Sequence, residues 1–290
     1  MARVHVPTTL ANLGSGFDAL GVALALYLEA EAKPAGADRF YYSGEGRVPD
    51  DPNNIVHQAF RAAHAYVNKE APPVEIRIFN PIPLARGMGS SAAARVAGAA
   101  LADVLLGRRL GMEGIFLVAS ELEGHPDNVA PAVFGGFQLS VAEPLLHVDL
   151  PYPGGLRFVI AVPDTPLPTE RARAALPEKV SHEDARFNLA RAALWPAALA
   201  SGRLDLLAEA ARDRLHQPYR LELMPGAAAA IETAMAAGAL AAFVAGAGPS
   251  VAALAAADSG TVEQALAPYA GEKGRLITLT VGKGLAWKAI

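Results

Sequence analysis

The sequence predicts an α+β fold in two halves, on three observations. Strand-like and helix-like stretches interleave without a regular β-α-β period, which favours layered sheet and helix over one doubly wound parallel sheet. A proline- and glycine-rich stretch, Pro151-Tyr-Pro-Gly-Gly155, falls at the midpoint. The 290 residues, 52% of them hydrophobic, supply core for two packed units. The halves are expected at 1–150 and 151–290.

The elements follow from local pattern. Residues 3–7, 24–33, 40–42 and 74–79 read as strands. Residues 54–69 read as a helix introduced by Asp50-Asp-Pro-Asn-Asn54, because Asp and Asn side chains suit turns and N-caps. The alanine-rich run 92–106 and residues 115–123 are further helices. Residues 133–141 are expected to form a strand pair, or one strand bulged at Gly135-Gly136. In the second half, 156–162 reads as a buried strand, 185–199 and 204–215 as amphipathic helices, and 227–237 as a helix ended by Gly238. An apolar strand at 240–244 leads into Gly246-Ala-Gly-Pro-Ser250, expected to turn into another alanine-rich helix. A strand at 275–281 closes the pattern.

Composition removes several function classes. The chain has no cysteine, so disulfides, thiolate zinc sites and cysteine nucleophiles are out. A net charge of -4, with Arg108-Arg109 the longest basic pair, leaves no electrostatic footprint for nucleic acid. No apolar run reaches the roughly 18 to 20 residues a membrane span needs. The first residues lack the long apolar core of a secretory signal, so a soluble cytoplasmic protein is expected. The alanine-rich second half could supply a homodimer face.

The segment richest in chemical meaning is Pro83-Leu-Ala-Arg-Gly-Met-Gly-Ser-Ser-Ala-Ala93, between an expected strand and an expected helix. Gly87 and Gly89 let the backbone curl close to a ligand. The first turn of a helix carries N–H groups without helical partners, at the positive end of the dipole. Together these make an anion cradle, with phosphate the usual anion and Arg86 a candidate fixed charge. The bland alternative is an ordinary turn with a serine N-cap. No Walker A pattern occurs. Gly14-Ser-Gly-Phe-Asp-Ala19 fits a loose dinucleotide fingerprint, but six residues separate it from the preceding strand, against that reading.

Four other clusters are polar where core-building asks for apolar residues. Asn12 and Asp18 flank a glycine-rich turn that could grip an amine or hydroxyl, or merely satisfy itself. Glu121-Leu-Glu-Gly-His-Pro-Asp-Asn128 places Glu121 at a helix end and Asp127-Asn128 after a proline turn, and carboxylate plus amide near a phosphate cradle is what Mg2+ needs. His125 has no partner at metal spacing. Arg171 and Arg173 follow a turn at Pro168-Thr169 and could fork a carboxylate, or remain solvated. The segment 213–220, with Arg214 and Arg220, carries the same ambiguity.

In this order, these segments resemble the GHMP kinases (galacto-, homoserine, mevalonate and phosphomevalonate kinases). The family's loop Pro-x-x-x-Gly-Leu-Gly-Ser-Ser-Ala is matched by Pro83 to Ala92, with Met88 for the usual leucine, and its third motif by Gly246-Ala-Gly-Pro-Ser250. Ala11-Asn-Leu-Gly-Ser-Gly-Phe-Asp18, His125-Pro-Asp-Asn-Val-Ala-Pro131 with Phe134-Gly-Gly-Phe137, and His216-Gln-Pro-Tyr-Arg220 suggest its homoserine-phosphorylating branch. The resemblance spans residues 3 to about 255. It implies an N-terminal half like ribosomal protein S5 and a ferredoxin-like C-terminal half. It also implies transfer of the ATP γ-phosphate to the L-homoserine hydroxyl, in threonine biosynthesis, with Mg2+. By the same resemblance Asn54, Pro83, Leu84, Ala85, Arg86, Gly87, Met88, Gly89, Ser90, Ser91, Ala92 and Ala93 bind ATP. Ser91, with or without Ser90, and Glu121 hold the metal. Asn12, Asp18, Thr169, Arg173 and Arg220 bind the substrate. Asn128 sits beside the transferred phosphoryl group, and Asp127 is the only local candidate base. Another GHMP kinase of the mevalonate type, or a nucleotide-binding regulator without turnover, are the alternatives.

Overall fold

The computed structural model describes residues 1–289. The first half runs β1 (Ala2–Asn12), β2 (Gly16–Pro34), β3 (Arg39–Gly44), α1 (Ile55–Tyr66), β4 (Val74–Asn80), α2 (Ser90–Leu105), α3 (Gly111–Glu123), α4 (Val129–Phe134), β5 (Phe137–Val141) and β6 (Leu146–Leu150). The second continues β7 (Arg157–Val162), α5 (Thr169–Ala174), α6 (His182–Ser201), α7 (Leu207–Ala210), α8 (Gln217–Leu221), α9 (Ala227–Ala236), β8 (Ala241–Val244), β9 (Val251–Ala255), α10 (Gly260–Ala270), β10 (Arg275–Thr280) and β11 (Ala286–Ala289).

Two sheets result, as the α+β prediction requires. The first has the order β11-β1-β2-β4-β3, with β5 pairing β2 and β6 pairing β5. The second is antiparallel with the order β10-β7-β9-β8. With α9 and α10 on its crossovers, that is the strand order of a ferredoxin-like half. Its central strand β7 is buried on both faces, and alternation divides its side chains. Phe158, Ile160 and Val162 join the main core, which includes Trp195 of α6, while Val159 and Ala161 join a second core with α9 and α10.

Alanine in α2 is a packing requirement as well as a helix preference. Its residues from Ala92 to Ala102 are almost all buried, and a Cβ on Gly98 would lie 2.1 Å from the Val56 carbonyl oxygen. Helices α1 and α2 therefore touch backbone to backbone. Asn54 caps α1 as expected, its side chain accepting from the Val56 N–H at 3.0 Å.

Four expectations are corrected. Residues 133–141 are not a strand pair: α4 ends at Phe134, Gly135 (φ 81°) turns the chain, and only β5 follows. The proline in α4 hid it, although Pro131 lies in the first turn, where the missing N–H costs nothing. Residues 204–215 are not one helix but a 3-10 turn (Leu204–Leu206), α7 and a loop. The run after Ser250 is strand β9, not a helix, so Gly246 to Ser250 is the turn of a hairpin between β8 and β9. Valine and the sheet neighbours on both sides override the helix propensity of alanine there. Finally, β11 returns to pair with β1, from Ala2↔Ala289 to His5↔Ala286, so the stretch after β10 belongs to the first sheet.

Candidate functional site

The glycine loop is built as an amide cradle. Ala85 (φ 52°), Gly87 (73°) and Gly89 (64°) have positive φ, and Arg86 and Met88 between them do not. That alternation turns successive N–H groups to one side. The loop ends at the N-terminus of α2, whose cap residue Gly89 offers no side-chain hydrogen bond. The first-turn amides and the dipole of a 16-residue helix thus converge on the same space. Met88 is buried beneath the loop and anchors it. Strand β1 holds it from one side: the Thr8 hydroxyl donates to the Met88 carbonyl at 2.6 Å, and the Thr9 N–H donates to it at 3.3 Å.

The hairpin Gly246–Ser250 holds the loop from the other side. A Cβ on Gly87 would lie 1.9 Å from the Ala245 carbonyl oxygen, so only glycine fits. The Gly246 carbonyl accepts from Asn12 Nδ2 at 2.9 Å and from an Arg220 NH at 3.0 Å. The second glycine motif therefore buttresses the first and orients two polar side chains.

One cleft of about 230 Å³ gathers most of the predicted residues: Asn12, Asp18, Pro83, Ala85 through Ser91, Asp127, Asn128, Thr169, Arg173 and Arg220. A second, more apolar cavity of about 300 Å³ adjoins it. Asn54 and Leu84 line that cavity, with Tyr42, Val48, Pro49 and Ile55, and it shares Ala85, Ser90 and Ser91 with the first. Ala92 and Ala93 are buried in the first turn of α2 and reach neither cavity with a side chain. Asn54 is occupied with structure, donating to the Pro49 carbonyl at 2.8 Å while it caps α1.

Charge is arranged in pairs across the cleft. Asp18, at positive φ near the start of β2, accepts two hydrogen bonds from Arg173 of α5 at 2.7 and 3.0 Å. These bonds hold the Arg173 pKa above its ordinary value. Arg220 of α8 is 1% exposed, and burial, reinforced by nearby Arg173, pushes its pKa down to about 10. Its Nε has no partner among the described residues. Beside it, buried His216 stacks on Phe17, with ring centroids 5.0 Å apart. His216 Nε2 lies 2.8 Å from the Gly14 carbonyl, so it donates, and Nδ1 accepts from Arg220 at 3.1 Å. Burial lowers the His216 pKa, consistent with that neutral ring.

At the far wall, Asn128 Oδ1 accepts from the Thr9 hydroxyl at 2.8 Å. Asp127 is buried; its Oδ1 meets His125 Nδ1 at 2.6 Å and accepts from the Asn128 N–H at 2.9 Å. Two predicted residues are placed differently from expectation. Glu121 is exposed on α3 and does not line the cleft. Glu123 does, and its Oε1 accepts from the Ser91 hydroxyl at 2.5 Å while its other oxygen pairs with Arg95. Helical spacing carried the signal: Phe116, Ala119, Ser120 and Glu123 share the inward stripe of α3, and Glu121 falls outside it. Ser90 borders both cavities, and its hydroxyl accepts from Asn80 Nδ2 at 3.0 Å. Arg86 offers the cleft no free fork, because it donates to the carbonyls of Leu84, Pro163 and Asp164 and ties the loop to the second half.

The segment Gly14–Ala19 runs from the β1–β2 turn into β2, which pairs antiparallel with β1, and no helix follows it, so it is not a dinucleotide fingerprint. Among the described residues no helix is long and apolar enough to cross a membrane.

Comparison with known proteins identifies the family. The pattern described as the GHMP kinases N terminal domain matches residues 54–136, and the GHMP kinases C terminal pattern matches 197–273. A homoserine kinase of Thermus thermophilus is 60% identical over 289 residues, covering 99% of each chain. One of Moorella thermoacetica is 43% identical over 278 residues, covering 94% of each. The crystal structure of homoserine kinase from Cytophaga hutchinsonii superposes with a TM-score of 0.87 at 28% identity, over 99% of this chain and 97% of that one. Mevalonate kinase of L. major, at 17% identity and TM-score 0.74 over 96% of this chain and 95% of that one, shares the fold. Matched along nearly its whole length by homoserine kinases and in both halves by family patterns, the chain belongs to the GHMP kinases, in their homoserine kinase branch.

Proposed function

We infer that the chain transfers the γ-phosphoryl group of ATP to the side-chain hydroxyl of L-homoserine, giving O-phospho-L-homoserine and ADP. One observation carries this reading: a single cleft joins an amide cradle for a phosphate chain to an opposed carboxylate and guanidinium pair suited to a zwitterion. The adjoining apolar cavity suits the nucleoside, with the shared Ala85 and Ser91 region as the passage for its phosphates.

Asp18 has the charge to bind the substrate ammonium, and Arg173 and Arg220 the charges to bind its carboxylate. In the structure Asp18 and Arg173 satisfy each other, so a zwitterion exchanges one ion pair for two. A ligand with only one of the two charges would leave a partner unmatched. Thr169, exposed at the start of α5, borders the same space. Arg220 arrives already desolvated, which strengthens its attraction for a carboxylate.

The donor set fits Mg2+. Ser91 and Glu123 present two oxygens 2.5 Å apart at the edge of the phosphate cradle, and such an ion takes few protein oxygens and keeps waters. Ser91 and Glu123 would hold the ion, which would supply positive charge to offset that of the phosphates. Glu123 replaces Glu121 in that role.

Catalysis then rests on alignment and charge stabilisation, because the transition state of phosphoryl transfer is loose. Loop amides and the head of α2 offset charge on the phosphates. Asn128, with its carboxamide on the cleft, is suited to align the transferred group. The Asp127 oxygen that faces its neighbours is engaged twice, which supports a role in fixing the Asn128 turn over one as a base.

ADP release on adding L-homoserine, compared with mevalonate and galactose, tests the function. Turnover only with homoserine is expected. Equal or faster turnover with either of the others, or none with homoserine, would overturn the reading.

A further inference from the structure

We propose that Thr9 is a positioning residue for phosphoryl transfer, its buried hydroxyl holding the Asn128 carboxamide with the nitrogen turned into the cleft. This rests on the reading of Asn128 as the residue beside the transferred group.

Thr9 lies on β1, is fully buried, and sits where three parts of the site meet. Its Oγ1 is 2.8 Å from Asn128 Oδ1. A Cβ on Gly89 would come within 1.9 Å of the same Oγ1 and 3.0 Å of Asn128 Oδ1. The last residue of the phosphate loop thus leaves just the room this hydrogen bond occupies. The Thr9 backbone N–H meanwhile binds the Met88 carbonyl, so the side chain is carried on a strand already stitched to the loop.

Hydrogen-bond satisfaction sets the direction. A threonine hydroxyl has one proton to place, and among the described residues Asn128 is its only partner. If the carboxamide were reversed, its nitrogen would donate to Thr9 and the buried hydroxyl proton would have no acceptor. An unsatisfied buried donor is costly, so the oxygen faces Thr9. The two N–H bonds of the carboxamide are then free for the cleft. Donors aimed at phosphoryl oxygens are what transfer needs, whereas a carbonyl oxygen aimed there would repel them. Thr9 acts through Asn128 and touches no reacting atom itself. Nothing in its local sequence signals this, because the pairing spans 119 positions of chain.

Thr9→Val keeps the shape and removes the hydroxyl; Thr9→Ser keeps the hydroxyl. Steady-state kinetics with ATP and L-homoserine, together with the dissociation constant of a non-hydrolysable ATP analogue, separate positioning from simple structural damage. We expect Thr9→Val to lower kcat by about 10- to 100-fold, the range for slight misalignment of a reacting group. Analogue binding stays at the wild-type value, and Thr9→Ser restores most of the rate. The double variant Thr9→Val/Asn128→Ala should be no slower than Asn128→Ala alone, since one acts through the other. Unchanged kcat in Thr9→Val, failure of Thr9→Ser to rescue, or multiplicative losses in the double variant would each overturn the proposal. A wild-type kcat in Asn128→Ala would instead show that the reading of Asn128 itself is wrong, and the proposal would fall with it.

Discussion

Replacing Gly87 and Gly107 with alanine, one at a time, isolates what close approach contributes to the phosphate cradle. The two glycines have nearly the same backbone, φ 73° and 71°. An alanine at either position meets the same intrinsic strain, roughly 1 kcal/mol. At Gly107, on the exposed turn after α2, nothing lies within 4 Å of the added methyl. At Gly87 the methyl would lie 1.9 Å from the Ala245 carbonyl oxygen and 3.0 Å from the Gly248 nitrogen. Both are backbone atoms, so no rotamer change relieves the overlap, and the loop must move by roughly 1.5 Å to reach an ordinary contact of about 3.4 Å. Misplacement on that scale costs about 100-fold in rate. Gly107→Ala should therefore lower the melting temperature by about 2–4 °C and leave kinetics alone. Gly87→Ala should lower it further, weaken binding of an ATP analogue and reduce kcat/KM for ATP by about 100-fold. Differential scanning fluorimetry, calorimetric titration with the analogue and steady-state kinetics on both variants give the comparison. Wild-type analogue affinity and kcat in Gly87→Ala would refute the argument that the loop is wedged against the β8–β9 hairpin.

The remaining predictions concern side chains. Glu123→Gln should raise the Mg2+ concentration for half-maximal turnover by at least about tenfold, and Glu121→Gln should leave it unchanged; the reverse order would return the metal role to Glu121. Asp18→Asn should raise KM for L-homoserine by about 10- to 100-fold, the value of a hydrogen bond to a charged group. Because the Asp18–Arg173 pair is about a third exposed, the melting temperature should barely change, and a large drop would mark the pair as structural instead. His216 gives a pH dependence. Its folded pKa lies below the ordinary value, so the unfolded chain takes up the proton first as pH falls. The stability it confers is complete above about pH 6.5 and is lost as pH falls below that. Protonation would also put an Nδ1–H against Arg220. Melting temperatures measured from pH 8 to pH 5 should fall less steeply in His216→Gln than in wild type; parallel curves would assign the acid sensitivity elsewhere.

Features coded within a few neighbouring residues were legible. The strand, glycine loop and helix around Gly87 and Gly89 lie within one run of chain, and sterics and orphan amides specify them locally. Asn54 was readable as a cap for the same reason. Local reading failed where packing overrode it. The alanines after Ser250 favour helix on propensity, yet β7 and β8 flank them and make a strand. Arg86 looked free for phosphate in sequence, whereas the carbonyls of Leu84, Pro163 and Asp164 consume its fork. Glu121 and Glu123 look equivalent two residues apart, and only the buried face of α3 separates them.

By itself the sequence determined the α+β plan and the glycine loop that opens α2, and it offered the polar residues proposed to serve a small charged substrate. Only the tertiary structure decided which of those residues meet. Asp18 and Arg173 are brought together across 155 positions of chain, Thr9 and Asn128 across 119, and Asn12 and the Gly246 carbonyl across 234. Backbone conformation and capping are set by near neighbours, so they can be read along the chain. Ion pairs and buried hydrogen bonds depend on distance in space, and that is fixed only when two cores close around β1, the glycine loop and the β8–β9 hairpin.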